Sequence, residues 1–434
     1  MVDLAERATA DEVPAGYRIT ELGVLPGDWR VVPLGDLATI RGEAVNPSQR
    51  PELRYVGLEH LVSGNPRVRS SGHAHEVRSA KSAFYPGDLL YGKLRPYLDK
   101  GAVAEWAGMS STDILVITPG YRIDPAFLGY VIHMQDFIRH AVATTTGVNH
   151  PRTSWNALHG FLLPLPPLPE QRSIAHVLST VQRAREATEA VIASTRELKR
   201  SLMQHLFTYG PVPVDQVDGV RLKETEIGLV PEGWGVRPIG EMFEVQLGKM
   251  LSPKARAGIS PVPYLRNQDV RWGNVNVTNL PLMDFDERES RKFDLRHGDV
   301  LVCEGGEIGR TAVWHGQLEP CSYQKAIHRL RSRHGDVDPH FFAYYMMHAF
   351  LLTKLYGDTG TTTTIAHLPA VKLRSLPMPV PPLPVQRDIS SALLATDAKL
   401  SAEMGTLQAI STLHEVLSAH IISGRIRVTK QGLA

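Results

Sequence analysis

The sequence predicts an α+β protein of two duplicated globular domains, each followed by a long helix, with the two helices paired as an antiparallel coiled coil. Three observations predict this fold class. A proline-rich signature occurs twice in the 434 residues. Short β-rich runs precede each copy of the signature, and an uninterrupted segment with an apolar stripe follows each copy. The chain therefore repeats one structural unit.

The duplication is visible at separate marks along the chain. The signature reads PLPPLPEQR at residues 164–172 and PVPPLPVQR at residues 379–387, identical at seven of nine positions. TELGVLPGDW at residues 20–29 is answered by TEIGLVPEGW at residues 225–234. The separation between matching marks grows from 205 to 215 residues, as small loop insertions would produce. A period this long indicates a duplicated domain and not a solenoid of short repeats.

Each globular domain is predicted to contain short strands and loops with one helix. Runs such as RYVGL, GDLLYG and TDILVITPG favour strands and are separated by turn signals. One helix is expected at residues 124–143 and its counterpart at residues 338–357. Both segments begin with Asp-Pro, which places an N-cap residue before a proline at the first helical position.

The segment after each signature is predicted to be a helix of about 36–40 residues, roughly 55–60 Å long. In the first segment, apolar or small residues recur at steps of three and four, the spacing of a coiled-coil seam. This seam consists of Ile174, Val177, Val181, Ala184, Thr188, Val191, Thr195, Leu198 and Leu202. The second segment keeps a less regular stripe, and Gly405 weakens that helix by roughly 1 kcal/mol relative to alanine. A helix with one apolar stripe needs a partner, so we expect the two helices to pair.

Composition restricts the class of protein. A net charge of +2 provides no global positive field, so any basic surface for nucleic acid has to be local. No apolar run approaches the roughly 18 residues of a membrane span. The charged start of the chain lacks the apolar stretch of a signal peptide, so a cytoplasmic location is expected. Cys303 and Cys321 are expected to be unpaired structural thiols, with a redox or zinc role as the alternative.

The chain resembles the specificity (S) subunit of a type I restriction–modification system. The resemblance rests on LPPLPEQRSIAHVL and its second copy PPLPVQRDISSALL, on the domain openings LPGDWRVVPLGDLATI and VPEGWGVRPIGEMFEV, and on the GDLL and GDVL segments. It covers about residues 18–424. It implies target-recognition domain 1 at 17–166, a central spacer helix at 167–210, a linker with target-recognition domain 2 at 211–381, and a C-terminal spacer helix at 382–424.

The resemblance implies a DNA-sequence specificity subunit that is not itself an enzyme. Each target-recognition domain would read one half of a bipartite, asymmetric target in double-stranded DNA. The paired helices would set the gap between the halves and dock two methyltransferase subunits. Those subunits would carry S-adenosylmethionine and modify adenine, and two endonuclease subunits using ATP and Mg²⁺ would complete the restriction enzyme. No cofactor and no metal is expected on this chain.

The sequence lacks the motifs of a catalytic subunit. It contains no N-P-P-aromatic motif of an amino-methyltransferase. The run from Gly87 to Lys93 matches GxxxxGK, but Leu94 replaces the hydroxyl residue that binds magnesium, and Pro96 argues against a helix there. Two alternatives are still open. One is a helical protein-interaction scaffold whose globular domains do not read DNA, which the near-neutral charge favours. The other is an enzyme that acts on DNA by itself, which the missing motifs disfavour.

Two loops of the first domain carry side chains suited to DNA. Base reading uses polar side chains presented on loops, and phosphate contact uses basic ones. YGKLRPYLDK (91–100) places basic residues and tyrosines around a proline bend, and TTTGVNHPRTSW (144–155) places hydroxyls around a glycine. A solvated hairpin and an ordinary β-rich loop are the alternatives. The predicted contacts are Lys93, Arg95, Tyr97, Lys100, Thr146, Asn149, His150 and Arg152.

The second domain offers equivalent segments with different side chains. CEGGEIGR (303–310) answers the first loop, and the spacing from Asp299 to Trp314 is three residues shorter than that from Asp88 to Trp106. TGTTTTIAH answers the second loop. The run YLRNQDVRW, with Arg266, Asn267 and Gln268, aligns with YVGLEHLVSG. A glutamate in these loops would accept from a cytosine amino group or cap a turn. The predicted contacts are Arg266, Asn267, Glu304, Arg310, Thr361, Thr362, Thr363 and Thr364.

Overall fold

The computed structural model describes residues 13–253, 255, 258–356, 367–429 and 432–433. The chain forms two compact units. Unit 1 contains residues 1–189 and 405–434, and unit 2 contains residues 190–404. Each unit therefore combines one run of short strands with a part of both long helices. The four ranges 17–166, 167–210, 211–381 and 382–424 stay a prediction of the domain boundaries.

Unit 1 contains two main sheets and smaller two-stranded sheets. Its strands are β1 (Tyr17–Thr20), β2 (Gly23–Pro26), β3 (Arg30–Pro33), β4 (Ala38–Ile40), β5 (Ala44–Val45), β6 (Arg54–Val56), β7 (Gly72–His73), β8 (Lys81–Phe84), β9 (Leu89–Gly92), β10 (Gly101–Val103), β11 (Gly108–Ser110), β12 (Ile114–Pro119) and β13 (Leu162–Leu165). The sheets have the orders β10-β9-β12-β4 and β5-β8-β11-β6-β7. Its helices are α1 (Pro125–Val131), α2 (Gln135–Ala143), α3 (Trp155–Leu158) and the first part of α4 (Leu168–Tyr209).

The single helix predicted at residues 124–143 is wrong, because the segment forms two helices. Helix α1 begins as expected, since the Asp124 carboxylate accepts hydrogen bonds from two backbone N–H groups of the first turn. The chain then turns between α1 and α2 at His133. The two ring nitrogens of His133 lie 2.6 Å from Oδ1 of Asp99 and 3.1 Å from the carbonyl oxygen of Gly101. These contacts hold the turn against strand β10, whose first residue is Gly101.

Unit 2 repeats the same plan. Its strands are β14 (Leu222–Thr225), β15 (Gly228–Pro231), β16 (Gly235–Pro238), β17 (Phe243–Leu247), β18 (Pro261–Leu265), β19 (Val270–Arg271), β20 (Asn274–Val275), β21 (Leu282–Asp284), β22 (Val300–Cys303), β23 (Thr311–Val313), β24 (Ser322–Tyr323), β25 (Ile327–Ser332) and β26 (Pro377–Val380). The larger sheets have the orders β17-β25-β22-β23 and β21-β18-β24. The helices are α5 (Ile239–Met242), α6 (Glu287–Phe293), α7 (Pro339–Met347), α8 (Ala370–Ser375) and α9 (Leu383–Ile422), the last shared with unit 1.

The helix predicted at residues 338–357 is also shorter than expected. Helix α7 ends at Met347, and a π-helical turn follows at His348–Leu352. The strand β22 is buried along its whole length, as is β9 in unit 1. Runs that are apolar on both faces need cover on both sides, which the helices and the second sheet of each unit provide.

The two long helices pair in antiparallel fashion, which confirms the predicted fold class. In unit 1, Leu178 near the start of α4 and Ile421 near the end of α9 belong to one hydrophobic core. In unit 2, Phe207 near the end of α4 and Leu393 near the start of α9 belong to one core as well. In each unit, the start of one long helix therefore packs in the same core as the end of the other.

The predicted seam of α4 is correct only in part. Val191 and Leu198 are 39% and 59% exposed, whereas Ile192 is buried. Gln182, a polar residue outside the predicted seam, is fully buried. It donates a hydrogen bond of 2.9 Å to Glu186, which also accepts from another side chain of unit 1. This polar pair lies on the buried face of α4 and contacts the globular part of unit 1, so the apolar residues alone do not define that face.

The repeated glutamine of the proline signature holds the start of each long helix to its domain. Gln171, 1% exposed, donates to the carbonyl oxygens of Pro166 at 2.8 Å and Arg122 at 3.1 Å. Its side-chain oxygen accepts from the backbone N–H of Asp124 at 2.8 Å, at the N-cap of α1. Gln386 makes the equivalent three bonds in unit 2, including one of 2.9 Å from the N–H of Asp338.

The described residues exclude two features. None of their helices is long and apolar enough to cross a membrane. Within the same residues, no group of three or more His, Cys, Asp or Glu side chains is placed to hold a metal ion.

Candidate nucleic-acid interface

The same aspartate turn begins the central hairpin of both units. Asp88 precedes β9 and Asp299 precedes β22, and both side chains are almost inaccessible. Arg41 binds both carboxylate oxygens of Asp88, at 2.8 and 3.0 Å. Arg331 binds those of Asp299, at 2.7 and 2.6 Å, and this hydrogen bonding raises the pKa of Arg331. Arg41 follows β4 and Arg331 lies on β25. The buried carboxylate is therefore neutralised by an arginine from a different place in each of two equivalent turns.

The loops within these two hairpins differ in length by one residue and not by three. The N–H of Ala104 donates to the carbonyl oxygen of Asp88, and the N–H of Trp314 donates to that of Asp299, both at 2.8 Å. Ala104, and not Trp106, is therefore the equivalent of Trp314. The comparison of the two tryptophans in the sequence therefore overestimated the difference in loop length. The loops between the strands are residues 93–100 in unit 1 and 304–310 in unit 2.

The sequence from Gly87 to Lys93 forms part of this hairpin and not a phosphate-binding loop. Strand β9 occupies Leu89–Gly92, and the N–H of Gly92 donates to the carbonyl oxygen of Lys100 at 2.8 Å. A Cβ atom at Gly92 would lie 2.8 Å from a methyl carbon of Leu58. The glycine permits close packing on Leu58, which explains it without a nucleotide.

In unit 1 the two predicted DNA-contacting loops lie side by side. The N–H of Arg95 donates to the carbonyl oxygen of Pro151 at 2.8 Å, and the N–H of Thr153 donates to that of Lys93 at 3.0 Å. Thr146 and Arg152 exchange two backbone hydrogen bonds, of 2.9 and 3.0 Å, which closes the second loop on itself. Residues 93–100 and 144–153 thus form one continuous surface, the unit 1 loop surface.

Most of the predicted side chains on the unit 1 loop surface are exposed. Two are engaged by the protein itself. Arg152 binds Asp113 at 2.9 Å, and the half-buried Lys100 donates to the carbonyl oxygen of Leu58 at 2.6 Å. Lys93 is half-buried. The exposed residues are Arg95, Tyr97, Thr146, Asn149, His150 and Arg152.

In unit 2 the structure brings Arg266, Asn267 and Arg310 together at one cleft of about 610 Å³. Their segments lie far apart in sequence, and the turn after β18 meets the loop between β22 and β23 there. The rest of the lining is formed by Leu251, Tyr264, Gln268, Arg271 and Gln324.

Two of the predicted cleft residues are occupied by contacts within the protein. Arg266 donates from Nε and Nη2 to the two oxygens of the buried Asp269, both at 2.8 Å, and this raises the pKa of Arg266. Asp269 also accepts from the backbone N–H of Arg266 at 2.7 Å. The side-chain amide of Asn267 donates to the carbonyl oxygen of Gly305 at 2.8 Å, while its oxygen has no partner among the described residues.

Arg310 is also engaged, through its Nη2 group. It donates to the carbonyl oxygen of Asn267 at 2.8 Å and lies 3.9 Å from the Cys303 sulfur. Burial raises the pKa of the Cys303 thiol to about 11, although the charge of Arg310 opposes the shift. Burial also raises the pKa of Cys321 to about 12. Both cysteines are free and buried, and their thiols are protonated at neutral pH.

The remaining predicted residues of unit 2 lie in two places. Glu304 is half-buried beside the cleft loop, and its backbone carbonyl oxygen accepts from the N–H of Leu368 at 2.7 Å. The equivalent bond in unit 1 joins Lys93 and Thr153. Thr361, Thr362, Thr363 and Thr364 lie outside the described residues.

Sequence reasoning did not select Arg271 and Gln324 and gave less weight to Gln268. Arg271 lies on β19 and also borders a second cleft of about 500 Å³, on the hairpin with β20. Trp272 fixes this hairpin, because its indole N–H donates to the Glu307 carboxylate at 2.7 Å. The available signal was the polar run RNQDVRWGN, but nothing in it distinguishes the side chains that face the cleft.

Comparison with known proteins agrees with this duplicated architecture. Residues 231–412 match the family described as type I restriction modification DNA specificity domain. The putative type I restriction enzyme MjaX specificity subunit of Methanocaldococcus jannaschii is 24% identical, over 95% of this chain and 97% of that protein. The EcoDI specificity subunit of Escherichia coli is 26% identical, over 44% of each chain.

Solved structures share the fold. The S subunit of a type I restriction–modification system from M. genitalium has a TM-score of 0.59 at 14% identity, covering 90% of this chain and 95% of that one. A chain from a type I R-M system, solved in a study of its complex assembly, has a TM-score of 0.56 at 20% identity, covering 92% and 99%. The fold defines a protein of two similar units, each built from short strands and parts of the two long helices. Nearly the whole chain is thus similar to type I restriction enzyme specificity subunits, and residues 231–412 match the specificity domain of that family.

Proposed function

We propose that this chain is the DNA-sequence specificity subunit of a type I restriction–modification system and has no catalytic activity of its own. Unit 1 reads one half of a bipartite, asymmetric target in double-stranded DNA, and unit 2 reads the other. The chain positions two adenine methyltransferase subunits on that target, and two endonuclease subunits join them. S-adenosylmethionine, ATP and Mg²⁺ belong to these partners.

The observation that carries this proposal is the combination of equivalent frames with non-equivalent side chains. The aspartate turns and the loop-to-loop hydrogen bonds recur in both units. The side chains at equivalent positions of these loops differ between the units. Unit 1 has Lys93 where unit 2 has Glu304, and it has Glu59 where unit 2 has Gln268. Two readers with one frame and different polar side chains suit a target whose two halves differ in sequence.

The test is the adenine methylome of cells that carry the methyltransferase partner, with and without this chain. We expect a split asymmetric motif that appears only with the chain. An unchanged methylome, with both proteins present, would contradict the proposal.

A second measurement separates DNA reading from protein scaffolding. We expect the duplex affinity of the assembled complex to fall steeply with added salt, because each neutralised phosphate releases counterions. Salt-independent binding would favour a scaffold.

A further inference from the structure

Five polar side chains of the unit 2 cleft fall into two groups. In the first group, each of the two arginines uses part of its donors within the protein. Arg266 is bound to Asp269 through two of its nitrogens, and Arg310 donates to the carbonyl oxygen of Asn267. A ligand that took these donors would leave a buried carboxylate or a carbonyl oxygen without a partner, which is costly.

The second group consists of Gln268, Arg271 and Gln324. All three line the same cleft. Gln268 and Arg271 are exposed and Gln324 is half-buried. None of the three side chains has a hydrogen bond or ion pair within the part of the chain that the structure describes. Their donors and acceptors are therefore available to a ligand without loss of an internal contact.

The backbone that carries these three side chains is held firmly. Gln268 lies in the short turn Asn267–Asp269, which the Asp269 carboxylate closes by accepting from the N–H of Arg266. Arg271 lies on β19, whose hairpin is fixed by the indole of Trp272. The N–H of Gln324 donates to the carbonyl oxygen of Leu265 at 3.0 Å. A backbone that is already fixed loses little entropy on binding, so only the side chains have to be ordered, which suits a reader of sequence.

Unit 1 shows which contacts belong to the frame. The N–H of Gly57 donates to Nδ1 of His60 at 2.9 Å, as that of Arg266 does to Asp269. Lys100 donates to the carbonyl oxygen of Leu58 at 2.6 Å, as Arg310 does to that of Asn267. A basic residue at this place makes the same backbone contact in both units, so its role is to position the loop.

We propose that Gln268, Arg271 and Gln324 read base edges in the half-site of unit 2, and that Arg266 and Arg310 are positioning residues that hold the loops. This rests on the proposed function, that the chain specifies a DNA sequence. The chemistry is suitable, because an arginine pairs with the major-groove edge of guanine through two hydrogen bonds and a glutamine with that of adenine.

The test is the adenine methylome of the assembled complex carrying Gln268→Ala, Arg271→Ala or Gln324→Ala. Each variant is expected to relax one base position in one half-site, with roughly a 5- to 150-fold loss of discrimination at that position. The other half-site is the internal control. Arg288→Ala is the matched charge control, because Arg288 is an exposed arginine on α6 that does not line the cleft, and it should leave the target unchanged.

Arg310→Lys tests the positioning role. Lysine already makes the equivalent contact in unit 1, so this variant should keep the wild-type motif, whereas Arg310→Ala should reduce methylation at all targets. A changed base preference in Arg310→Lys would show that Arg310 reads a base and would overturn the assignment.

The outcomes separate this inference from the function on which it rests. If the wild-type complex methylates no specific motif, the proposed function fails. If it does and the three cleft variants keep that motif unchanged, the inference fails alone. A uniform loss across all sequences, with a shallower salt dependence, would indicate phosphate contacts and would also overturn base reading. Loss of assembly would count against it too, since these side chains have no hydrogen bond or ion pair to lose among the described residues.

Discussion

Replacing the buried glutamine of the first signature should destabilise the protein. Gln171→Ala removes three hydrogen bonds of 2.8 to 3.1 Å, which join the start of α4 to Pro166, Arg122 and the N-cap of α1. At about 1 kcal/mol for each bond, the expected loss of unfolding free energy is about 3 kcal/mol. Gln171→Glu should lose a similar amount, because a carboxylate can accept from Asp124 but cannot donate to the two carbonyl oxygens.

The measurement is urea unfolding followed by circular dichroism, with calorimetry to show whether the two units unfold in separate transitions. The matched control is Arg172→Ala in the same signature, since the Arg172 side chain is 71% exposed and lies 3.7 Å from Asp124. We expect a change within about 0.5 kcal/mol for this control. If Gln171→Ala unfolds like the control, the glutamine does not hold the helix and the reasoning is wrong.

Three further predictions concern single positions. Arg427→Ala should lower the unfolding free energy by roughly 3 kcal/mol, because it leaves the buried Glu170 carboxylate without its cation; an unchanged thermal midpoint would contradict this. Burial lowers the pKa of His348 to about 4. The unfolded chain therefore binds more protons than the folded protein between pH 6.5 and 4, and the free energy of unfolding should fall as the pH falls through that window. His348→Phe should flatten this pH dependence. Equal slopes of unfolding free energy against pH for the two proteins, measured by denaturation at several pH values, would refute the prediction. Gly405→Ala should stabilise α9 by about 1 kcal/mol in chemical unfolding, since a Cβ there meets no atom within 4 Å, and a loss of stability would be the contrary result.

The sequence was sufficient to predict the architecture because the pattern of one unit occurs twice in the chain. The long helices follow from a proline start and a segment without helix breakers, and both properties are local. The seam of α4 does not follow in the same way. The buried Gln182 donates to Glu186, which also accepts from Asn65, and that arrangement depends on a residue 117 positions away from Gln182.

The candidate interface shows the same limit. Residue type led to Arg266 and Arg310, since arginine is the commonest reader of guanine. Residue type does not show whether the donors are free. Asp269 occupies two nitrogens of Arg266, and the carbonyl oxygen of Asn267 occupies Nη2 of Arg310. Only the folded chain brings Arg310 to Asn267. The sequence did not indicate Arg271 and Gln324 because only the fold places their side chains in the cleft without a hydrogen bond or ion pair among the described residues.

The discontinuity of unit 1 has a consequence for synthesis on the ribosome. Its core includes Ile421 and Ile422, both fully buried, and Arg427 binds the buried Glu170 through two nitrogens. A nascent chain that has not yet reached these residues has an open core and an unneutralised carboxylate in its first globular portion.

Unit 2, in contrast, is a continuous stretch of residues 190–404. Its core does not depend on residues 405–434. Residues 190–404 can therefore fold before unit 1 is complete, although translation usually favours the earlier segment. Residues 1–189 keep part of their apolar surface exposed until residues 405–434 have been made, and chaperones bind such surface.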